Sequence, residues 1–310
     1  ISAAVVQACF DLDIEPHRVA KLSGIGCSSK TPDYFLGASH GFNSVHGRMP
    51  SVLTGASLAN RDLLYLGISG DGDSASIGLG QFVNSMRRNV NMTYIVENNG
   101  VYGLTKGQFS ATADKGSTSK RGAVNADSPV ELVDLALQMG ATFVARSFSG
   151  DKAQLVPLIK GAMRHHGAAI IDVISPCVTF NNHPGSTRSY DYVRAHNEAV
   201  NRIDFIAPRS EITTQYAPGE VTDVRMHDGS LLRLRKLHTD YSPTDRSAAM
   251  KYLHDHRLQG EVVTGLLYVE TGTPDFADSM HLAERPLNNM GKAELCPGQA
   301  ELETINRGFR

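Results

Sequence analysis

Residues 70–72 read Gly-Asp-Gly and residues 98–99 read Asn-Asn, with 25 residues (73–97) between them. Each group closes an apolar run, Leu63–Ser69 for the first and Met92–Val96 for the second. A carboxylate oxygen, an amide oxygen and a nearby backbone carbonyl are hard ligands that suit Mg²⁺ or Ca²⁺ rather than a soft metal. Mg²⁺ held by so few protein atoms completes its octahedron with water and phosphate oxygens. Gly70 and Gly72 let a diphosphate approach the backbone, and a helix beginning near Ser74 aims its N-terminus at the same place. The chemistry these residues suggest is a Mg²⁺-diphosphate anchor. Either short motif alone is also an ordinary turn, so the argument rests on their spacing.

The elements that must position them follow from hydrophobic pattern. Residues 18–23 read as a strand, 63–69 as a strand buried on both faces, 74–88 as a helix and 92–97 as a strand. Ser128 is a plausible N-cap, with Pro129 at the first position, for a helix ending near Gly140. A strand over 141–147, a helix over 151–166 and a strand over 168–174 complete the series. This alternation predicts an α/β fold with a doubly wound parallel sheet and right-handed crossovers. Ligands of such sheets sit beyond the carboxyl ends of the strands, where Gly70–Gly72 and Asn98–Asn99 stand.

The pair at this spacing resembles the signature of thiamine-diphosphate enzymes. Further stretches narrow the resemblance: Gly24-Ile-Gly-Cys-Ser28, His46-Gly-Arg48 with Thr54-Gly55, Asn99-Gly-Val-Tyr-Gly-Leu-Thr-Lys-Gly-Gln108, and Ser175-Pro-Cys-Val-Thr-Phe-Asn181. In this order they resemble the β subunits of 2-oxoacid:ferredoxin oxidoreductases. The resemblance covers roughly residues 1–200, which it implies are a diphosphate-binding α/β domain; residues 201–310 are expected to be a C-terminal extension or arm packing on a partner subunit.

The resemblance implies that Asp71, Asn99 and the carbonyl of Val101 hold Mg²⁺. It implies that Ile25, Gly26, Cys27, Ser28, His46, Gly70, Asp71, Gly72, Asp73, Asn99, Val101, Gly103 and Leu104 surround thiamine diphosphate. An α subunit would supply the pyrimidine-binding and coenzyme A sites, in an αβ or (αβ)₂ assembly. The implied reaction is oxidative decarboxylation of a 2-oxoacid with coenzyme A, the electrons passing to ferredoxin. His46 is expected to hydrogen-bond the diphosphate, although a lone His near a turn is more often a structural donor. Lys106 stands where relatives with short-chain substrates carry Gly, so it is expected to pair with a substrate carboxylate, favouring 2-oxoglutarate. Lys30 is a second, weaker candidate for that role. A solvated surface lysine is the plainer reading of each.

Four cysteines occur, at positions 9, 27, 177 and 296, none of them in a CxxC pair. The resemblance makes Cys27 and Cys177 two ligands of a [4Fe–4S] cluster, whose other two would come from a CxxC preceding the first helix. That helix begins abruptly at Ile1 without a cap, and the missing CxxC is expected upstream of it. Two thiolates alone do not hold a cubane cluster. Cys9 and Cys296 are read as structural, and His165-His166 and His254-Asp-His256 as solvated faces.

Composition excludes other classes. A net charge of −2 gives no electrostatic case for nucleic acid or an anionic membrane. No apolar run approaches the ~20 residues that span a bilayer, and nothing at the start reads as a signal peptide, so a cytoplasmic location is expected. A pyruvate or branched-chain relative, a non-redox thiamine enzyme and a non-catalytic subunit retaining the fold are the competing readings. The intact Asp71/Asn99 pair speaks against the last of these.

Overall fold

The computed structural model describes residues 1–105, 107–118, 122–175, 212–226, 231–296 and 298–309. The strands are β1 (Val19–Ser23), β2 (His40–Asn43), β3 (Leu64–Gly70), β4 (Met92–Asn98), β5 (Val101–Tyr102), β6 (Gln108–Phe109), β7 (Phe143–Phe148), β8 (Ala168–Ile174), β9 (Val221–Arg225), β10 (Leu231–Lys236) and β11 (Val262–Val269). The helices are α1 (Ser2–Asp11), α2 (Met49–Ala59), α3 (Leu79–Arg87), α4 (Leu132–Gln138), α5 (Lys152–Arg164), α6 (Arg246–Leu258) and α7 (Phe276–Ser279), with two short helices after them. Nine strands form one sheet in the order β2-β1-β3-β4-β8-β7-β11-β10-β9, and β5-β6 is a separate hairpin.

The six strands from β2 to β7 are parallel. Their residues alternate between two cores, as a period of two requires when both faces are covered. Tyr94 and Val96 of β4 join one cluster with Leu53, Phe82, Leu132 and Leu253, from α2, α3, α4 and α6. Ile95 joins the other, with Val5 and Ala8 of α1 and Leu155 and Ile159 of α5. Burying each large aliphatic side chain contributes roughly 1.5–3 kcal/mol, so this layering holds the strand ends in fixed relation.

Two elements differ from expectation. The helix expected over 74–88 is a π-type turn, Gly72–Ile77, followed by α3. Its break is at Gly78, whose N–H donates to the carbonyl of Asp73 at 2.8 Å. A Cβ on Gly78 would stand 2.7 Å from that carbonyl and 2.9 Å from the backbone of Gly47, so the close chain crossing fixes the break. Helix α4 starts at Leu132 with Glu131 as its N-cap residue, not at Ser128. The chain before it is held extended, with the Val130 N–H donating to Ala111 O at 2.7 Å, and the Glu131 carboxylate is engaged by Arg146.

The described part of residues 201–310 is not only an appendage. Strand β11 pairs antiparallel with β7, β10 parallel with β11, and β9 antiparallel with β10. Strands β9 and β10 are half-exposed and carry arginines on their open face, which masks their alternation in the sequence.

Candidate active site

The chain leaves β1 toward β2 on one side and leaves β3 toward β4 on the other. Loops diverging from adjacent strands open a crevice at their carboxyl ends, the switch point of a doubly wound sheet. A cavity of about 340 Å³ lies there. Ile25, Gly26, Cys27 and Ser28 line it from the β1 loop, Gly70, Asp71, Gly72 and Asp73 from the β3 loop, and His46 from the segment before α2. Asn99, Val101, Gly103 and Leu104 close it from beyond β4. The structure therefore brings together the expected cofactor-binding residues. Lys106 and Cys177, expected at the substrate and the cluster, lie outside the described residues.

Asp71 is the buried centre, 1% exposed. Its Oδ2 accepts from Gly100 N at 3.1 Å, from the Thr112 hydroxyl at 2.6 Å and from the Ser110 hydroxyl. Its Oδ1 accepts a single, longer bond from Asn99 N at 3.3 Å. One oxygen thus accepts three bonds and the other retains lone-pair capacity. Burial pushes the Asp71 carboxyl above the usual carboxylate range, against the pull of the Ser110 and Thr112 hydroxyls. A bound cation would offset that burial. Asn99 holds its own turn, its Oδ1 accepting from Val101 N at 3.0 Å. Asp71, Asn99 and Val101 thus offer the hard oxygen set that Mg²⁺ takes, and they share one cavity.

The glycines are explained by contact. A Cβ on Gly72 would stand 2.5 Å from the Tyr102 ring, whose hydroxyl donates to Gly72 O at 2.7 Å. A Cβ on Gly24 would stand 2.0 Å from Asp73 Oδ2. Asp73 belongs to the scaffold as well as the cavity wall. Its Oδ1 accepts from Gly47 N at 2.7 Å and its Oδ2 from the Ser69 hydroxyl at 2.6 Å. It thereby fixes the loop that carries His46, which is itself exposed.

Ser29, Glu97, Tyr102, Thr105 and Ser175 also line the cavity and were not singled out from sequence. Glu97 accepts from the Thr31 hydroxyl at 2.9 Å, and burial pushes its carboxyl up. Its place at the tip of β4, directly before the asparagines, was the available signal. Asp71, Asp73 and Glu97 make the lining acidic, and no Lys or Arg stands among the described lining residues. Cys27 is exposed at the start of a 3₁₀ helix, Cys27–Tyr34, and Cys296, expected to be structural, is exposed as well. Cys9 is 2% exposed under α1, where burial raises its thiol pKa.

The histidine pairs are not simply solvated. The His165 ring lies 2.7 Å from the Thr142 hydroxyl, and burial lowers its pKa. His256 Nδ1 lies 2.7 Å from Glu261.

Residues 24–173 match the family described as thiamine pyrophosphate enzyme, C-terminal TPP binding domain. The chain is 44% identical over 183 residues to a 2-oxoacid:ferredoxin oxidoreductase subunit beta of Saccharolobus solfataricus, covering 59% of this chain and 60% of that protein. It is 40% identical over 173 residues to the 2-oxoglutarate oxidoreductase subunit KorB of Mycobacterium tuberculosis, covering 56% and 46%. With the 2-oxoglutarate synthase subunit KorB of Methanocaldococcus jannaschii it shares 37% identity over 184 residues, covering 57% and 67%. The match thus spans about half to three-fifths of the length of the first two relatives. A solved 2-oxoglutarate:ferredoxin oxidoreductase from Magnetococcus marinus, with 2-oxoglutarate, coenzyme A and succinyl-CoA bound, superposes with a TM-score of 0.72 at 29% identity, over 98% of this chain and 89% of that one.

Proposed function

This chain belongs to the family of 2-oxoacid:ferredoxin oxidoreductase β subunits, and from that premise we propose that it is the diphosphate-holding half of an enzyme that oxidatively decarboxylates 2-oxoglutarate. The overall change is 2-oxoglutarate plus coenzyme A to succinyl-CoA, CO₂, one proton and two electrons, with ferredoxin as the acceptor.

The observation that carries this reading is electrostatic. The cavity is walled in part by the backbone of Gly70 and Gly72, yet its described lining holds three carboxyl side chains and no Lys or Arg. A divalent cation would offset these carboxylates for an entering anion, and Asp71 and Asn99 would be its ligands. Bound thiamine diphosphate would supply a nucleophilic thiazolium carbon for the 2-oxo carbon and an acceptor for the electron pair released as CO₂ leaves. The chain's own residues hold the diphosphate end: Gly70 and Gly72 through close backbone, Asp71, Asn99 and Val101 through the cation, His46 as a donor from its fixed loop. A partner α subunit would supply the pyrimidine half and the coenzyme A site. Cys27 at the cavity, with Cys177, would contribute two thiolates to a [4Fe–4S] cluster, which needs four.

The complex isolated through a tag on this chain tests the reading. We expect one thiamine diphosphate per chain, iron and sulfide near four each, and ferredoxin reduction that requires both 2-oxoglutarate and coenzyme A. Asp71→Asn is expected to lose the cofactor and reduce activity by at least about 100-fold while the complex stays assembled. Full assembly with no thiamine diphosphate would reject the enzyme reading, and an iron-free complex purified without oxygen would reject the cluster.

A further inference from the structure

The first asparagine of the pair, Asn98, has no place in the cation reading. It faces a second cavity, of about 250 Å³, together with Thr112, Glu131 and Arg146. Its Nδ2 donates to Asp172 Oδ1 at 3.0 Å, and its Oδ1 lies 3.1 Å from the Thr112 hydroxyl. Asp172 is 0% exposed on β8, opposite Arg146 of β7 in register. Arg146 Nε donates to Asp172 Oδ2 at 2.9 Å, and its NH2 donates to Glu131 Oε2 at 2.7 Å. Side chains from β7, β8, β4 and the loop after β6 thus form one continuous chain that ends on Asp71.

Each link constrains the next. A buried carboxylate without its partner is costly, so Arg146 is what permits Asp172 at this depth. A carboxylate accepts only, so Asp172 requires the NH₂ end of the Asn98 amide and turns its oxygen toward Thr112. The Thr112 hydroxyl has one proton and three oxygen partners, Asp71 Oδ2 at 2.6 Å, the Ser110 hydroxyl at 2.9 Å and Asn98 Oδ1 at 3.1 Å. The bond to the charged oxygen is the shortest, as charge-assisted bonds are. It helps to lock the Oδ2 side of Asp71, leaving Oδ1 the less engaged oxygen.

We propose that Thr112, held in place by Asn98, Asp172 and Arg146, is a positioning residue that aims Oδ1 of Asp71 at the cation. The proposal rests on the Mg²⁺-diphosphate reading above and extends it to residues outside the cavity lining. Asn98 and Ser110 keep the part-buried Thr112 hydroxyl partnered when a cation draws on the Asp71 charge.

The test is a calorimetric Mg²⁺ titration of the complex, stripped of cation and held at saturating thiamine diphosphate. It compares wild type with Thr112→Val, Thr112→Ser and Arg146→Met. Removal of an outer partner of a metal ligand costs 10–100-fold in metal affinity in other sites. Thr112→Val is expected to raise the Mg²⁺ Kd by about that factor while the cation-free melting temperature is unchanged. Thr112→Ser, which keeps the hydroxyl, is expected to stay near wild type, and Arg146→Met to weaken Mg²⁺ in the same direction. A Thr112→Val Kd within about twofold of wild type, or equal losses in the Val and Ser variants, overturns the proposal while the cofactor reading stands. Thr112→Val decides alone if Arg146→Met does not fold. A wild-type complex that takes up thiamine diphosphate with no dependence on Mg²⁺ overturns the cation reading, and the proposal falls with it.

Discussion

The two oxygens of one carboxylate have different tasks at the residue scale. Asp71 Oδ2 is held by Gly100, Ser110 and Thr112, while Oδ1 has one bond of 3.3 Å. Substrate choice is proposed, from the sequence alone, to rest on Lys106. A lysine paired with the distal carboxylate contributes roughly 1.5–3 kcal/mol. Lys106→Gly is therefore expected to lower kcat/KM for 2-oxoglutarate by about 10–100-fold and to change pyruvate turnover much less. Steady-state kinetics on both acids decides this, and equal losses would remove Lys106 from substrate recognition.

The elements show what was readable in advance and what was not. Asp71 and Asn99 were legible because two strands and one intervening helix set their separation within narrow limits. Thr112 was not, since it is a common residue type at an unmarked position and acquires meaning only when the loop after β6 meets Asp71. Strand β10, Leu231–Lys236, was missed because its arginines mask a half-buried alternation. The glycines offer a quantitative check on the loops. A Cβ on Gly24 would meet Asp73 Oδ2 at 2.0 Å, whereas one on Gly55, inside α2, would meet nothing within 4 Å. Gly24→Ala is expected to destabilise the protein by about 1–3 kcal/mol through displacement of Asp73 and the His46 loop. Gly55→Ala is expected to stabilise it by about 0.5–1 kcal/mol, since helical alanine is preferred to glycine. Urea denaturation of the two variants checks both signs.

In the whole molecule, distant segments are tied to the sheet by charge. Asp278 of α7 meets His166 at 2.9 Å and also Arg61, and these two partners, His166 the stronger, hold its carboxyl down to about 2. A folded-state pKa below the unfolded value favours the ionised form in the folded state. The resulting stabilisation is complete above the ordinary Asp value, near 3.8, and is lost as pH falls through about 2. Asp278→Asn is therefore expected to lower the melting temperature at pH 7 and to match wild type near pH 2, which melting curves across that range would show. A deficit that persists unchanged in acid would assign the effect to the α7 cap, where Asp278 Oδ2 accepts from Asp275 N at 3.2 Å.

The reversal of direction at β7 has a consequence of another kind. Without β11, the parallel sheet would end on β7 as a bare edge, six strands wide, with unpaired N–H and C=O groups available to any passing strand. Among the described residues, nothing after Ser175 lines the cofactor cavity. With β11, β10 and β9 added, the sheet ends instead on β9, a five-residue strand bearing Asp223 and Arg225, and charged side chains on a short edge strand disfavour pairing with another chain.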